Sequence, residues 1–267
     1  MHLYYTDSGD NPEKQELPAI IFIHGFFMNQ NMFHSQIERL KNKYRIICFD
    51  VMGFGNSKFD DDDSSLYDVA HNIVCTLDSL KIKKYIVCGM SMGGYIALRL
   101  AIKYHNHLAG LILISTQSEQ DPPQNISSYH ELCNSWSDKI TREKIVNDLL
   151  PVFFGEHRKH ASEWKEIWMS LNPEIIKKAM SIMTTRDDIT SEIKEINVPT
   201  LIIHGENDIG IPHEKARTLN KNIVSSQLSL IPDGCHAVSV THSKVVNEIM
   251  FNWLYKCFDK NNISSTL

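Results

Sequence analysis

The sequence predicts an α/β protein built on a mostly parallel central sheet with helices on both of its faces. Three observations lead to this prediction. Short apolar runs recur along the chain, most of them are followed by a helical pattern, and one turn between a run and its helix is rich in glycine. Strands that are apolar throughout are typical of parallel sheets that are buried on both faces. At 267 residues, the chain is long enough to form one such domain.

The apolar runs are short and rich in β-branched residues, which favours strands over buried helices. They are residues 19–25, 44–50, 84–90, 108–115, 198–205 and 225–232. Helical patterns lie between or after them, at residues 32–43, 66–81, 93–104, 211–222 and 242–258. Pro212 is predicted at the first position of its helix, where a backbone N–H has no helical partner in any case.

Residues 117–190 interrupt this alternation of strands and helices. Four helical segments are predicted there, at residues 128–136, 142–154, 161–171 and 173–183. The interruption follows a core strand, and the alternation resumes after it. We therefore predict a core formed by residues 1–116 and 191–267, with residues 117–190 inserted as a helical cap subdomain.

Three of the four tryptophans, Trp136, Trp164 and Trp168, lie within this insertion. A helical insertion rich in aromatic residues favours a lid over a ligand pocket. We therefore predict that the three tryptophans line the substrate pocket. The alternative is a helical subdomain in which the tryptophans only pack against one another and their own helices.

Composition and charge exclude several classes of function. A net charge of −5, with no block of Lys or Arg, gives no basic surface for nucleic acid. The apolar runs are too short to cross a membrane, and no signal peptide is visible at the N-terminus. The six cysteines lack a CxxC pair or a dense framework, which indicates free thiols in a reducing compartment. We therefore expect a cytoplasmic protein without nucleic-acid or membrane partners.

The stretch GMSMGG, residues 89–94, places Ser91 where a predicted strand ends and a helix begins. A sharp turn at that point brings Gly89 and Gly93 so close together that side chains there would collide. The serine at the apex is held in strained backbone geometry, with its hydroxyl exposed at the end of the sheet where open α/β sheets bind ligands. This G-x-S-x-G pattern predicts a nucleophile elbow. The alternative is a glycine-rich turn with a capping serine.

A serine hydroxyl is a weak nucleophile and needs a base that a third group orients. Asp208 follows the strand that ends in "LIIHG", and His236 follows the next strand. Both therefore lie at the same end of the sheet as Ser91, in the chain order Ser, acid, His. We predict that His236 is the base and Asp208 the acid, with Glu206 as the alternative acid.

An oxyanion needs two fixed backbone donors. The N–H of Met92, directly after the nucleophile, is predicted to be one of them. The loop "HGFF" after the first buried strand supplies the other, which we assign to the N–H of Phe26. His24 is expected to bond within this loop, and Phe27 is a candidate for the pocket wall.

Taken together, the chain resembles the α/β-hydrolase superfamily, in particular small capped members such as enol-lactonases and carboxylesterases. The similarity extends over nearly the whole chain and includes "HGFFMNQNMFHSQIERL", "FDVMGFGNSK", "GMSMGGYIALRLAIKY" and "VPTLIIHGENDIGIP". The family usually has glycine directly before the catalytic histidine, whereas Cys235 stands there in this chain. Relatives that use an aspartate nucleophile are excluded by Ser91.

The resemblance implies a serine hydrolase that needs neither a cofactor nor a metal ion, with a small carboxylic ester or lactone as its partner. Thioester hydrolysis, C–C bond hydrolysis and perhydrolysis use the same triad and stay open as alternatives. A receptor that keeps the triad but senses a small molecule is a further alternative from a different class of function. No dinucleotide-binding or P-loop pattern is present, because "GFGNSK" lacks the last glycine of G-x-G-x-x-G.

Overall fold

The structure is a computed structural model that describes residues 3–9, 16–59 and 65–259. Its centre is a seven-stranded sheet with the strand order β1-β3-β2-β4-β5-β6-β7. The strands are β1 (Tyr5–Asp7), β2 (Ala19–Ile23), β3 (Ile46–Phe49), β4 (Tyr85–Met90), β5 (Leu108–Ile114), β6 (Thr200–Gly205) and β7 (Ser226–Ile231). All neighbours pair in parallel except β1, which runs antiparallel to β3. The predicted mostly parallel central sheet is confirmed.

Ten α-helices connect and cover these strands within the described residues. They are α1 (His34–Leu40), α2 (Leu66–Ser79), α3 (Met92–Lys103), α4 (Pro123–Ser135), α5 (Lys139–Phe154), α6 (Arg158–Ser170), α7 (Pro173–Thr184), α8 (Glu214–Asn222), α9 (Val238–Thr241) and α10 (Ser243–Leu254). Short 3₁₀ turns cover Gln30–Phe33, His105–His107 and Glu192–Glu195, and a π-helical turn, Tyr255–Asp259, ends the described chain. Among the described residues, no helix has both the length and the apolar composition of a membrane span.

Side-chain caps set the start of several helices. Ser65 accepts a hydrogen bond from the N–H of Asp68 at the start of α2, and Asp138 accepts one from Thr141 at the start of α5. Such caps satisfy backbone donors that have no partner within the helix. Pro212 lies outside its helix, since α8 begins two residues later at Glu214. The predicted position of this proline within the helix is therefore corrected to the turn that precedes it.

The strands β2, β4 and β5 are buried along their whole length, as their continuous apolar sequences predict. Helix α3 is buried on most sides, because it packs against the sheet, against α2 and beside the segment that follows the insertion. Its Arg99 is 1% exposed and forms an ion pair with Asp187 after α7. This pair attaches the end of the insertion to the core.

Four helices, α4 to α7, connect β5 to β6. They correspond to the four helical segments predicted within residues 117–190, called the insertion below. Strand β5 ends next to the turn between β4 and α3, because Ser91 donates its N–H to the carbonyl oxygen of Ile114 over 2.9 Å. The insertion therefore begins beside Ser91.

Candidate active site

Ser91 occupies the turn between β4 and α3 with φ 52° and ψ −115°. A positive φ is unfavourable for a residue that has a Cβ, so the surrounding structure must hold this conformation in place. Two helical bonds do so from one side, since the N–H groups of Gly94 and Tyr95 donate to the Ser91 carbonyl over 2.8 and 3.1 Å. From the other side, the Thr116 hydroxyl donates to the same oxygen over 2.9 Å.

The glycines around Ser91 are required by close approach of the backbone. A Cβ at Gly89 would overlap the carbonyl group of Gly93 on the first turn of α3. A Cβ at Gly93 would overlap the carbonyl group of Ile23 at the end of β2. Because neither position has room for a side chain, the turn can be tight enough to point its serine away from the sheet. The predicted reason for the glycine cluster therefore agrees with the geometry.

The structure brings Ser91, His236 and Asp208 together. The Ser91 Oγ lies 3.0 Å from His236 Nε2, and His236 Nδ1 lies 2.8 Å from Asp208 Oδ2. Asp208 follows β6 and His236 follows β7, so the two loops leave the sheet at the same end as Ser91. All three residues are at most 8% exposed. Glu206, the alternative acid, is exposed.

The hydrogen bonds determine which atom of His236 can act as a base. An ionised carboxylate can only accept, so Nδ1 of His236 carries the proton that is shared with Asp208. In the neutral ring, Nε2 is then the acceptor for the Ser91 hydroxyl. This is the arrangement in which an imidazole takes a proton from a serine as the serine attacks.

Asp208 is surrounded by four donors. Its Oδ1 accepts from the N–H groups of Gly210 and Ile211, both over 2.9 Å. Its Oδ2 faces His236 and also lies 3.2 Å from His204 Nε2. Burial acts to raise the pKa of Asp208, but the charge and hydrogen bond of His236 and the hydrogen bond of His204 outweigh it. The pKa is held well below its ordinary value, so the carboxylate stays ionised.

His204 is a buried neighbour of Asp208 that the sequence pattern did not predict. Its side chain is fully buried in β6, and its Nε2 lies 2.8 Å from the carbonyl oxygen of Ile211. Because a carbonyl can only accept, Nε2 carries a proton and is a donor towards Asp208 as well. The signal that could have found it is a polar residue at the end of an otherwise apolar strand, four residues before Asp208.

The loop after β2 is fixed by His24, as expected. The N–H of Val51 donates to His24 Nε2 over 3.0 Å, which leaves the proton on Nδ1 to donate to the Gly25 carbonyl over 2.8 Å. Burial lowers the pKa of His24 and keeps the ring neutral in this tautomer. Among the described residues, the backbone N–H groups of Phe26 and Met92 have no acceptor. These are the two groups that were predicted to bind an oxyanion.

Phe27 lies next to this loop with φ 64°, an unfavourable value for an aromatic residue. Packing compensates for the strain. The Phe27 ring stacks on Trp136 with 5.0 Å between centroids, and Trp168 lies 5.5 Å away. The insertion therefore supports the loop that carries the Phe26 N–H.

A cavity of about 130 Å³ lies over Ser91 and His236. Most of its wall is apolar and comes from the insertion and from the loop after β2. The lining residues are Phe26, Phe27, Ser91, Tyr95, Asp121, Tyr129, Leu132, Leu149, Val152, Phe153, Met180, Met183, Gly210, Ile211 and His236. Phe27 is therefore part of the wall of this cavity.

The three tryptophans correct the prediction that they line the pocket. Trp136 and Trp168 are buried one layer behind its wall. Trp136 and Trp168 are fully buried, and they pack on Phe27, while Trp168 also meets Phe153 edge-on at 4.9 Å. Trp164 is 5% exposed and is likewise absent from the lining. The indoles of Trp136 and Trp168 pack behind Phe27 and Phe153, and the smaller phenylalanine and tyrosine rings form the surface that faces Ser91.

The His236 loop is bound to the end of α5. The N–H of His236 donates to the Val152 carbonyl over 3.3 Å, and that of Ala237 donates to the Phe153 carbonyl over 2.9 Å. Carbonyls at the end of a helix lack helical partners, so these bonds satisfy both elements. The Phe153 ring also covers the His236 ring edge-on at 4.9 Å. The insertion thus contacts the histidine directly.

Cys235 stands where the resemblance predicts glycine, and the structure shows how its side chain is accommodated. Its Sγ packs against Gly155, where an added Cβ would lie only 2.8 Å from the sulfur. A glycine at the end of α5 therefore makes room for the larger residue before His236. All six cysteines are free thiols. Within the described ranges, no group of three or more His, Cys, Asp or Glu side chains is arranged to hold a metal ion.

Comparison with known proteins confirms the predicted α/β-hydrolase fold. A family model described as "alpha/beta hydrolase fold" matches residues 18–243. A relative from Synechocystis sp., named for a non-heme chloroperoxidase, is 29% identical over 94% of each chain. A pimeloyl-[acyl-carrier protein] methyl ester esterase from Nitrosomonas europaea is 25% identical over 82% of this chain and 89% of its own.

Two solved structures extend the comparison. A thermophilic esterase from Thermogutta terrifontis superimposes with a TM-score of 0.86 and 27% identity, covering 96% of this chain and 94% of the esterase. The enol-lactonase from Burkholderia xenovorans superimposes with a TM-score of 0.85 over 94% of this chain and 96% of its own. At 18% identity, the likeness to the lactonase is one of fold.

Proposed function

This chain belongs to the α/β-hydrolase family, and we propose that it is a serine hydrolase that cleaves a small carboxylic ester or lactone through an acyl-enzyme. The observation that carries the proposal is the continuous hydrogen-bonded chain from Ser91 through His236 to Asp208, which opens into a cavity. The 27% sequence identity to the Thermogutta terrifontis esterase, over 96% of this chain, supports the same reaction.

In the first half of the reaction, Ser91 Oγ attacks the carbonyl carbon of the ester, and His236 Nε2 takes the serine proton. Asp208 stabilises the imidazolium that forms. The carbonyl oxygen gains negative charge, and the N–H groups of Phe26 and Met92 are the donors that we assign to it. Collapse of the tetrahedral intermediate breaks the bond to the alcohol oxygen, which leaves with the proton from His236.

In the second half, water attacks the acyl-enzyme. His236 takes one proton from the water, and the hydroxyl oxygen bonds to the acyl carbon. The bond to Ser91 Oγ then breaks, and the serine recovers its proton from His236. The carboxylic acid is released, and no cofactor takes part in the proposed cycle.

The cavity supports a small and largely apolar substrate. Its volume of about 130 Å³ is close to the roughly 150 Å³ of a protein cavity that holds a benzene molecule. The part of the substrate that it encloses is therefore about six non-hydrogen atoms in size. We assign residues 117–190 as the cap subdomain over this cavity, with residues 1–116 and 191–267 as the core. The cap limits the access of water to the acyl-enzyme.

The relative named for a chloroperoxidase favours a second acyl acceptor. Hydrogen peroxide in place of water would attack the same acyl-enzyme, so that a peracid is released and Ser91 regains its proton. Peracid formation from an ester and added hydrogen peroxide, measured beside acid formation, compares the two acceptors in one sample.

The experiment that tests the proposal is hydrolysis of short-chain esters and lactones by the wild-type protein and by Ser91→Ala. We expect ester or lactone hydrolysis by the wild type and a fall in kcat of about 10⁴ or more in the variant. Binding of an unreactive analogue should survive in Ser91→Ala, which serves as the folding control. An active Ser91→Ala, or a wild type that binds esters without cleaving them as a receptor would, overturns the proposal.

A further inference from the structure

Apart from Ser91 and His236, the cavity over Ser91 has one group of polar side chains in a largely apolar wall, and the reaction does not use this group. Asp121, Tyr95 and Tyr129 line the cavity together with the phenylalanine, leucine and methionine side chains. Asp121 follows β5, Tyr95 lies on the first turn of α3, and Tyr129 belongs to α4. A polar group in an otherwise apolar pocket fixes the orientation of a ligand and gives specificity.

Asp121 is a buried carboxylate whose charge is already balanced. Arg186 donates to its Oδ2 over 2.7 Å, and the arginine and aspartate side chains are 1% and 10% exposed. Gln117 Nε2 donates to its Oδ1 over 3.1 Å. Arg186 is fixed in turn by the carbonyls of Met183 and Glu119, over 2.9 and 3.2 Å. The carboxylate therefore presents hydrogen-bond acceptors to the cavity without adding net charge.

The hydrogen-bonding capacity of this group is not used up within the protein. Each oxygen of Asp121 can accept more than one hydrogen bond, and each accepts one from Gln117 or Arg186. Among the described residues, the hydroxyls of Tyr95 and Tyr129 have no hydrogen-bond partner. The Arg186 guanidinium lies over the Tyr95 ring, 4.1 Å from its centroid, and fixes its position. Burial raises the pKa of Tyr95 and of Tyr129, so both phenols keep their protons.

We propose that Asp121, Tyr95 and Tyr129 form a hydroxyl-binding subsite that selects esters or lactones with a second, alcoholic oxygen on the part enclosed by the cavity. The proposal rests on the serine hydrolase function proposed above and specifies its substrate class. A hydroxyl both donates and accepts, so it can donate to Asp121 and accept from a tyrosine hydroxyl. A substrate without it leaves the tyrosine hydroxyls without a partner and the remaining acceptor capacity of Asp121 unused, which is how a site rejects an analogue that lacks a hydroxyl.

The charges of Asp121 and Arg186 disfavour a charged group on the substrate at this subsite. A carboxylate on the substrate would be repelled by Asp121. An ammonium group would bring a second cation close to Arg186, which already neutralises the aspartate. A neutral hydroxyl has neither cost. The cavity encloses about six non-hydrogen atoms, which is close to the six carbon atoms of a hexanoyl chain, so we start the probe series at that chain length.

The test measures binding in the Ser91→Ala background, where the esters are not consumed. The probes are methyl 6-hydroxyhexanoate, methyl hexanoate and methyl 6-aminohexanoate, with the next shorter and longer homologues of each. We expect the hydroxylated ester to bind about tenfold or more tightly than its unsubstituted partner at the best chain length, as one hydrogen bond to a charged group gives. Equal binding of the two, or tighter binding of the amino ester, overturns the proposal.

Variants of the subsite separate its role from folding. Asp121→Asn removes the charge that pairs with Arg186, so it also lowers the stability of the fold. Tyr129→Phe is therefore the second variant, because it removes one hydroxyl and leaves the ion pair intact. In both, the ratio of the two affinities should fall towards one. Leu132 lines the same cavity, and Leu132→Met changes no hydrogen bond. As the control, this variant should keep the wild-type ratio of the two affinities. A ratio that Asp121→Asn and Tyr129→Phe both leave unchanged overturns the assignment.

The same esters distinguish this inference from the function on which it rests. Wild-type hydrolysis of methyl hexanoate at a rate equal to that of the hydroxylated ester supports the serine hydrolase and rejects the subsite. Absence of any hydrolysis, with a tenfold preference in binding, supports the subsite and rejects the hydrolase.

Discussion

Asp208→Asn keeps the shape of the carboxylate but reverses the hydrogen bonding of one half of it. The N–H groups of Gly210 and Ile211 both donate to Asp208 Oδ1 over 2.9 Å. Because these backbone donors cannot move, they select the amide oxygen of the substituted side chain for that position. The amide NH₂ group must then take the place of Oδ2.

In that place, the NH₂ group faces two ring nitrogens that carry protons in the wild type. His204 cannot become an acceptor there, because its Nε2 proton is bound to the Ile211 carbonyl over 2.8 Å. His236 can avoid the conflict only if its proton moves from Nδ1 to Nε2. Nε2 of His236 then carries a proton and can no longer accept the hydroxyl proton of Ser91, whose Oγ lies 3.0 Å away.

The expected result is a fall in kcat of about 10⁴, the size of the effect when the same change places a triad histidine in the wrong tautomer. This corresponds to about 5 kcal/mol of transition-state stabilisation. The assay is steady-state release of p-nitrophenol from p-nitrophenyl acetate, with circular dichroism to check the fold. Glu206→Gln is the matched control, since Glu206 is exposed in the same loop, and it should change kcat little. If Asp208→Asn keeps more than a tenth of the activity, or if Glu206→Gln is the more damaging change, the reasoning is refuted.

Three further predictions follow from buried contacts. His204→Leu should lower the free energy of unfolding by about 2 kcal/mol, because it leaves the Ile211 carbonyl without a donor; urea denaturation that matches the wild type would contradict this. Trp136→Ala should lower the free energy of unfolding by about 3–5 kcal/mol, because it removes a fully buried indole. It should also lower kcat, because Trp136 supports Phe27; an unchanged kcat would show that the Trp136–Phe27 contact does not affect catalysis. The pKa of Asp208 is held below its ordinary value, so the stabilisation from its carboxylate is complete above a pH of about 5 and is lost as the pH falls further. The difference in unfolding free energy between wild type and Asp208→Asn should therefore narrow as the pH falls from about 5 to about 3, and a constant difference would contradict a lowered pKa for Asp208.

The strands could be predicted to within about two residues because the signal for a doubly buried strand is local. Strand β5 is buried at all seven positions, for example, and its sequence is apolar throughout. Strand β1 was not predicted, because Tyr5–Asp7 is short, partly exposed and polar. Its existence depends on pairing with β3, about forty residues away along the chain. Such pairing leaves no pattern within the strand itself.

The candidate triad could be located from sequence because strand ends meet at one edge of a parallel sheet, so Ser91, Asp208 and His236 required only the order of the elements. The surrounding contacts could not be located in this way. The Asp121–Arg186 pair joins two ends of the insertion, and its formation depends on how four helices fold back.

The tryptophans mark the limit of compositional reasoning. Their number indicates that the insertion has apolar surface to bury, and that surface is indeed buried. Composition does not say which side of a wall a ring occupies. Trp136 lies behind Phe27 because the strained loop at Phe27 already projects a ring into the space in front of it.

The most direct test of the central claim is the mass of the protein after reaction with a fluorophosphonate, followed by peptide mapping. This reagent forms a stable bond with a serine only when a neighbouring base activates the hydroxyl. The account predicts a single adduct on Ser91 in the wild type, no adduct in Ser91→Ala, and strongly slowed labelling in Asp208→Asn. An adduct on another residue, or equal labelling of Ser91→Ala and the wild type, would contradict it.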